Sequence, residues 1–397
     1  MSKLILPELA FWDSMFWPEG VPRYLEVEEE RLHYSLVERW ARTNESKPAI
    51  ITKEKTLSFG EIHAKTRELS NLLRSDQKSK EGIVFTGSVL NRILVHLSAA
   101  LAGCPVIVSE GGNAPLAEKS LKISDDDVER ATQVPEGVVD DDNPNDVFFS
   151  FITQASDGRI ACSKKGYLTN LLSYNAFLGL GSGSNLTVYS SLKLNDLFHV
   201  FACLARGATT ILTSQESELS MFSSELSLRS SYLYADADEL GKMESGKARS
   251  LGKTVAWTAL FRETVRTESR NLKDFRLLDM YELPEIGVVF SNHPSWRIRS
   301  SIGIPITNVE ARLLKQSSLM KSWFEGVIEA GQVKELAIGG PAFDSLSYEG
   351  NTNRKAVRLR RLAEGKNRWI ALKEYAEMDE NGIFYIRPFD KNKAASQ

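Results

Sequence analysis

Apolar and polar residues alternate along the first hundred positions in a way that predicts strands followed by helices. The predicted elements are a helix at 32–42, strands at 48–52 and 56–59, a helix from Ser58, a strand at 83–86, a helix at 91–101 and a strand at 105–108. Ser58 and Glu61 form the Ser-x-x-Glu pattern in which each side chain caps the other's backbone amide. This alternation predicts a largely parallel sheet covered by helices.

The alternation resumes after an acidic stretch at 125–146. Asp140, Asp141 and Asp142 follow one another there, among Pro and Asn residues, which favours a solvated connection. Beyond it the pattern predicts strands at 147–152, 187–190 and 209–212, helices near 168–178 and at 197–205, and then short β-like runs at 309–313, 333–338 and 382–386. The resulting division is two α/β subdomains at 1–143 and 144–300, a barrel-like β subdomain at 301–386, and a hinge or tail at 387–397.

Composition and charge narrow the class of protein. The chain has 397 residues, of which 42% are hydrophobic and 25% charged, as in globular proteins with more than one subdomain. Its 49 basic and 52 acidic residues give a net charge of -3, so no overall basic field favours nucleic acid. Cys104, Cys162 and Cys203 are widely spaced and are expected to be small buried residues in a reducing compartment. Because Pro7 and Glu8 interrupt the first apolar run, we expect a cytoplasmic protein without a membrane span.

Several segments carry a family resemblance, in order, over more than three hundred residues. They include 17–22 (WPEGVP), 57–62 (LSFGEI), 198–200 (FHV), 301–305 (SIGIP) and 379–386 (DENGIFYI). Together they resemble the adenylate-forming superfamily of acyl-CoA synthetases, luciferases and peptide-synthetase adenylation domains, and the opening is similar to archaeal-type long-chain fatty-acyl-CoA ligases. The resemblance implies the N-terminal domain of that superfamily, with two helix-covered β-sheet subdomains and a small distorted β-barrel, and with the small C-terminal domain absent.

The resemblance also implies a loop that holds the phosphates of ATP. The family's Thr-, Ser- and Gly-rich loop corresponds to 153–162, where Thr153, Ser156 and Gly158 are retained. Asp157 adds a negative charge facing the polyphosphate, and Ala161 stands where the family has Lys. The cations that could compensate are Arg159, Lys164 and Lys165. The alternative is that these three are solvent-facing charges at a helix start.

Four further positions match the family's ligand-binding motifs. Tyr281 and Glu285 match the first and last residues of Tyr-Gly-x-Thr-Glu, which implies an aromatic wall for adenine and the acyl pocket and a ligand for Mg²⁺. For Glu285, an isolated surface carboxylate is the alternative. Glu374 falls where the family binds ribose with Asp. His199 falls in the acyl-pocket segment, and its alternative is a satisfied core histidine.

These matches predict ATP-dependent adenylation of a fatty or related carboxylic acid, with ATP and Mg²⁺ as cofactors and CoA or an acyl or peptidyl carrier protein as acceptor. The expected activity is weak or dependent on a partner, such as a complete ligase or a separate C-terminal domain. None of the matched residues is assigned a catalytic role. The alternative is a catalytically inactive homologue that acts as an acyl- or nucleotide-binding or regulatory subunit. The basic segment 354–368 is either a solvated face or a docking site for an anionic partner.

Overall fold

The computed structural model describes residues 16–27, 31–109, 120–131, 142–152, 159–189, 194–213, 231–235, 257–260, 277–314, 333–343, 346–349, 360–362 and 369–387. The α-helices in these ranges are α1 (Arg39–Thr43), α2 (Phe59–Ser75), α3 (Val89–Ala102), α4 (Asp125–Arg130), α5 (Lys164–Leu178) and α6 (Leu194–Ala205). A π-helical turn, Tyr34–Glu38, leads into α1, and short 3₁₀ turns lie at Gln77–Lys80 and Pro341–Phe343.

The strands of the described ranges belong to three sheets. In chain order they are β1 (Pro48–Ile51), β2 (Thr56–Ser58), β3 (Ile83–Thr86), β4 (Val106–Ser109), β5 (Leu121–Ser124), β6 (Val147–Ile152), β7 (Arg159–Ser163), β8 (Asn185–Tyr189), β9 (Thr209–Thr213), β10 (Ser231–Ala235), β11 (Trp257–Leu260), β12 (Leu277–Leu283), β13 (Gly287–Ser291), β14 (Ile304–Pro305), β15 (Glu310–Leu314), β16 (Lys334–Gly339), β17 (Leu346–Glu349), β18 (Arg360–Leu362), β19 (Trp369–Met378) and β20 (Phe384–Arg387).

Local sequence signals begin and end the helices. The Glu61 backbone N–H donates to Ser58 Oγ at 3.2 Å, and the Ser58 N–H donates to Glu61 Oε2 at 2.7 Å, which is the predicted capping box of α2. Helix α3 ends at Gly103, whose φ of 69° is the left-handed conformation that glycine adopts without a Cβ penalty. The predicted helical segments at 32–42, 91–101 and 197–205 are confirmed. The helix predicted near 168–178 is longer and begins at Lys164.

Sheet order brings together strands that are distant in the chain. The nine-stranded sheet has the order β14-β13-β12-β11-β10-β8-β9-β1-β2, and the six-stranded sheet has the order β17-β7-β6-β4-β3-β5. Strands β8 to β12 and β3 to β6 pair in parallel within their sheets, which confirms the predicted largely parallel arrangement. The first hairpin, β1–β2, joins the nine-stranded sheet, whereas β6 and β7 belong to the six-stranded one. The subdomain boundaries at 143, 300 and 386 stay predictions.

The third sheet is antiparallel and forms the last part of the described chain. It has the order β15-β16-β19-β18, with β20 paired to β19. The β-like runs predicted at 309–313, 333–338 and 382–386 lie in or beside β15, β16 and β20. The predicted mixed α/β fold class, with two helix-covered sheets and a smaller β unit, is confirmed. None of the described helices is both long enough and apolar enough to cross a membrane.

Two charged side chains lie where the sequence pattern indicates solvent. Lys164 is completely buried, and its Nζ lies 3.4 Å from Asp142 Oδ1 and 3.5 Å from Asp146 Oδ2. Asp142 is itself buried and accepts the backbone N–H of His33 at 2.8 Å. The prediction of a solvated Asp142 and the interpretation of Lys164 as a solvent-facing charge are therefore wrong. The two charges neutralise each other at the junction of β7 and α5, so neither needs solvent.

The three cysteines are buried and free, as predicted. Most buried apolar side chains form one continuous cluster that extends from Leu32 to Phe384. Burial raises the pKa of the Cys203 thiol to about 12, so this thiol stays protonated at neutral pH. Cys203 is thus a packing residue of α6 rather than a nucleophile.

Candidate functional site

Strands β6 and β7 flank the segment that the resemblance identifies as the phosphate loop. Ile152 at the end of β6 pairs with Arg159 at the start of β7, and Thr153, Ser156 and Gly158 lie outside the described residues. Ala161 is described: it is 1% exposed, and it pairs with Ser150 on one side and with Ser347 of β17 on the other. The position that carries Lys in the family is therefore an interior position of the six-stranded sheet.

The segment that matches Tyr-Gly-x-Thr-Glu forms the β12–β13 hairpin of the nine-stranded sheet. Its turn closes through the Ile286 N–H, which donates to the Leu283 carbonyl at 3.1 Å. The side-chain amide of Asn170 on α5 donates to the Ile286 carbonyl and ties the turn to that helix. Tyr281 is fully buried, and Glu285 is 4% exposed. Glu285 is therefore not the isolated surface carboxylate of the alternative interpretation.

The hairpin lies directly against α6. Gly287 has a φ of 92°, and a Cβ built on it would lie 2.1 Å from Cδ2 of Phe198. Only glycine accommodates both this backbone conformation and this ring, because any Cβ would overlap the ring. This close approach of Gly287 to Phe198 places the hairpin next to His199, the residue that follows Phe198.

His199 lies at the centre of a buried polar group, which we call the His199 cluster: Tyr174 of α5, His199 of α6, Tyr234 of β10 and Glu282 of β12. His199 Nε2 lies 2.6 Å from Glu282 Oε1, and Nδ1 lies 3.0 Å from the Tyr174 hydroxyl oxygen. The Tyr234 hydroxyl donates to Glu282 Oε2 at 3.3 Å. The Tyr234 ring also stacks on the imidazole, with centroids 3.7 Å apart and planes at 26°. All four side chains are buried.

The protonation states of the two tyrosines fit this network. Burial raises the pKa of the Tyr234 and Tyr174 hydroxyls well above the ordinary value, and the negative charge of Glu282 raises both further. Both hydroxyls therefore stay protonated and act as donors at neutral pH. The imidazole tautomer with its proton on Nε2 satisfies every contact, because Nδ1 then accepts the Tyr174 O–H while Nε2–H donates to Glu282. Each carboxylate oxygen of Glu282 thus receives one donor.

The structure brings some of the predicted site residues together and separates others. Tyr281 and Glu285 lie on one hairpin, and Glu282 between them reaches His199. Both ring nitrogens of His199 have partners, which agrees with the alternative of a satisfied core histidine. Glu374 is half-buried on β19 of the antiparallel sheet. Glu282 replaces the glycine of the motif and is not among the site residues predicted from the sequence. A charged residue between the apolar neighbours Tyr281 and Leu283 in a strand nevertheless signals a buried partner.

Two described positions do not supply the positive charge that the resemblance implies for the phosphates of ATP. The Ala161 methyl group carries no charge to offset phosphate, and the neighbouring Lys164 ammonium is held by Asp142 and Asp146 inside the protein. A carboxylate suits Mg²⁺, and the Glu285 side chain is 4% exposed. Among the described residues, no group of three or more His, Cys, Asp or Glu side chains could hold a metal ion.

Known proteins resemble this chain in structure rather than in sequence. No protein-family model and no curated protein matches the sequence. A long-chain-fatty-acid-CoA ligase from Archaeoglobus fulgidus superposes with a TM-score of 0.70 at 14% identity, covering 94% of this chain and 87% of the ligase. The o-succinylbenzoate coenzyme A synthetase of Bacillus subtilis, in complex with ATP and magnesium ion, gives 0.67 at 13% identity, covering 89% and 78%.

The nonribosomal peptide synthetase FmoA3 superposes with a TM-score of 0.72 at 15% identity, covering 95% of this chain and 44% of the synthetase. A CoA ligase, a CoA synthetase and a nonribosomal peptide synthetase thus share one architecture with this chain over about nine-tenths of its length or more. The chain has the mixed α/β fold of the N-terminal domain of the adenylate-forming enzymes.

Proposed function

We propose that this chain is a catalytically inactive homologue of acyl-adenylating ligases that acts as a binding or regulatory subunit. The observation that carries the proposal is the 2.6 Å contact between His199 Nε2 and Glu282 Oε1 in the buried core. By the resemblance, His199 and the Tyr281–Glu285 motif belong to the acyl and adenine pocket. A carboxylic acid in that pocket would have to displace the Glu282 carboxylate from two hydrogen bonds and leave it buried without donors, which is unfavourable.

The surroundings of the phosphate loop support the same proposal. Adenylation places the negatively charged triphosphate beside a carboxylate, so it depends on positive charge and on positioning. Among the described cationic side chains, Lys164 is the nearest in sequence to Ala161, and its charge is already neutralised by Asp142 and Asp146. Replacing the family's Lys by Ala161 while burying Lys164 removes two sources of charge compensation from this region.

Adenylation of a fatty or related carboxylic acid is the second candidate function. Tyr281 and Glu285 keep the first and last residues of the family motif and lie together on the β12–β13 hairpin. The o-succinylbenzoate coenzyme A synthetase is seen with ATP and magnesium ion. In this second candidate Thr153, Ser156 and Gly158 would hold phosphate, Glu374 the ribose and Glu285 the Mg²⁺.

The two candidates differ in their partners. As a binding subunit in the cytoplasm, the chain would associate with a complete ligase. As an enzyme it would need a carboxylic acid, ATP and Mg²⁺, a separate C-terminal domain, and a thiol acceptor such as CoA or an acyl or peptidyl carrier protein. Titration of the purified chain with a purified complete ligase, followed by light scattering, tests the first arrangement directly.

Calorimetric titration with ATP and Mg²⁺ tests the proposed function at the nucleotide step. We expect no heat of binding above that of dilution. Binding in the micromolar to low-millimolar range that is abolished in Glu285→Ala would contradict the proposal and support adenylation. Binding that Glu285→Ala leaves unchanged would place the nucleotide elsewhere on the protein and would leave adenylation without its metal ligand.

A further inference from the structure

We infer that Glu282 is an internal occupant of a carboxylate-binding site, and that this site accepts a small free carboxylate when the Glu282 side chain is shortened. The inference rests on the proposed function in one respect, because it places the His199 cluster at the acyl pocket of the family. It adds to the proposed function that the donors around Glu282 recognise a carboxylate.

The donors of the His199 cluster converge on one carboxylate. His199 Nε2–H donates to Glu282 Oε1 at 2.6 Å, and the Tyr234 hydroxyl donates to Glu282 Oε2 at 3.3 Å. Each carboxylate oxygen thus has its own donor, and the two donors come from different elements. This arrangement favours a carboxylate over an amide or an alcohol, because each of those has only one oxygen that can accept a hydrogen bond.

The donors are positioned without help from Glu282. The Tyr174 hydroxyl holds His199 through Nδ1 at 3.0 Å, and the Tyr234 ring stacks on the imidazole at 3.7 Å. These side chains belong to α5, α6 and β10, whereas the carboxylate alone comes from β12. Shortening Glu282 therefore leaves two oriented donors facing a small buried space.

The size of that space follows from the side chain that is removed. Glu282→Ala removes one methylene group and the carboxylate, which equals an acetate ion. Glu282→Gly removes one carbon more, which equals propionate. Buried donors without partners are unfavourable, so a carboxylate that fills the space restores their hydrogen bonds. Aromatic rings, including that of Phe198, surround the site, so longer or branched acids would overlap with packed side chains.

Thermal unfolding of Glu282→Ala in acetate, against chloride at the same ionic strength, tests the inference. We expect acetate to raise the melting temperature of this variant, with an affinity at least about tenfold above that of the wild type. Acetamide, which is the same size but has one acceptor oxygen and no charge, should give little or no shift. Glu282→Gln keeps the volume of the side chain and should not respond to acetate.

A folded Glu282→Ala variant that ignores acetate, or responds equally to acetamide, overturns the inference. Adding Tyr234→Phe to Glu282→Ala should reduce the acetate effect, because it removes the donor to one oxygen. If Glu282→Ala does not fold in chloride, its refolding yield in acetate is the measurement: recovery of folded protein supports the inference and an unchanged yield contradicts it. Neither readout involves ATP, so adenylation by the wild type would overturn the proposed function without deciding the acetate result.

Discussion

His199 Nε2 and Glu282 Oε1 lie 2.6 Å apart, although 83 positions separate the two residues in the chain. The contact joins helix α6 to strand β12 of the nine-stranded sheet, and both side chains are buried. A buried carboxylate is stable only with donors around it, and Glu282 has two of them. The structural role of this pair leads to a first prediction about stability.

We expect His199→Phe to destabilise the protein by about 3–5 kcal/mol, because it leaves a buried carboxylate without its main partner. The double variant His199→Phe with Glu282→Leu should lose less stability than the sum of the two single variants, since no charge remains to be satisfied. Urea unfolding followed by circular dichroism gives the coupling free energy. Additive effects of the two substitutions would show that the pair does not act as a unit.

Lys164→Met is the second prediction. It leaves the Asp142 carboxylate buried without its cation, and we expect a loss of about 3–5 kcal/mol. Lys165→Met is the matched control, because the neighbouring Lys165 is only half-buried and its substitution should change stability by less than about 0.5 kcal/mol. Equal effects of the two substitutions on the urea midpoint would contradict the buried ion pair.

Buried histidines predict that acidification destabilises the protein. Burial is the main cause that lowers the pKa of His33 to about 3 and of His96 to about 4. Because both values lie below the unfolded value near 6.5, the unfolded chain binds protons that the folded chain does not. Above pH 6.5 the two histidines do not change the free energy of unfolding. Below pH 6.5 that free energy decreases by up to about 1.4 kcal/mol per pH unit for each histidine, until the pH reaches the folded pKa of about 4 for His96 and about 3 for His33.

Urea unfolding at pH 7.5, 6 and 5 measures this slope. His96 packs against the rings of Phe148, Phe149 and Phe201. His96→Phe keeps an aromatic ring at this position and should remove one proton from the slope between pH 6.5 and 5. A free energy of unfolding that is independent of pH in this range would contradict the neutral, buried state of both residues.

Gly287→Ala is the fourth prediction. Its φ of 92° adds backbone strain of about 1–3 kcal/mol, and the overlap of the new Cβ with Phe198 adds about 1–3 kcal/mol more. Gly179 is a matched control, because it also has a left-handed φ, 68°, but nothing lies within 4 Å of a Cβ there. Gly179→Ala should therefore show the strain alone. Equal losses for the two variants would contradict the close packing of the hairpin on α6.

Elements specified by neighbouring residues are predictable from the sequence. The Ser58–Glu61 capping box needs only four consecutive positions, and the β-like run at 382–386 lies beside a turn that Asp379 closes by accepting the Ile383 N–H. The α/β alternation likewise reports local burial. These signals are sufficient for the fold class and for most helix positions.

Contacts between distant segments are not predictable in the same way. Asp142 ends a run of three acidic residues, which is typical of solvated chain, and only folding places it against Lys164. Glu282 stands at the glycine position of the motif, but its hydrogen-bond partners come from α6 and β10, far away in the chain. The sequence therefore predicts a site at this hairpin, whereas the structure shows which side chains contact Glu282 there.

Acid-dependent exchange of pyrophosphate into ATP tests the central claim most directly, because it requires both ATP binding and attack by a carboxylate at the same site. With the wild-type chain, Mg²⁺ and a series of short- to long-chain carboxylic acids, the proposal predicts no exchange above that of the heat-denatured protein. Exchange that depends on one class of acid, and that is lost in Glu285→Ala, would contradict it and would establish the chain as an adenylating enzyme.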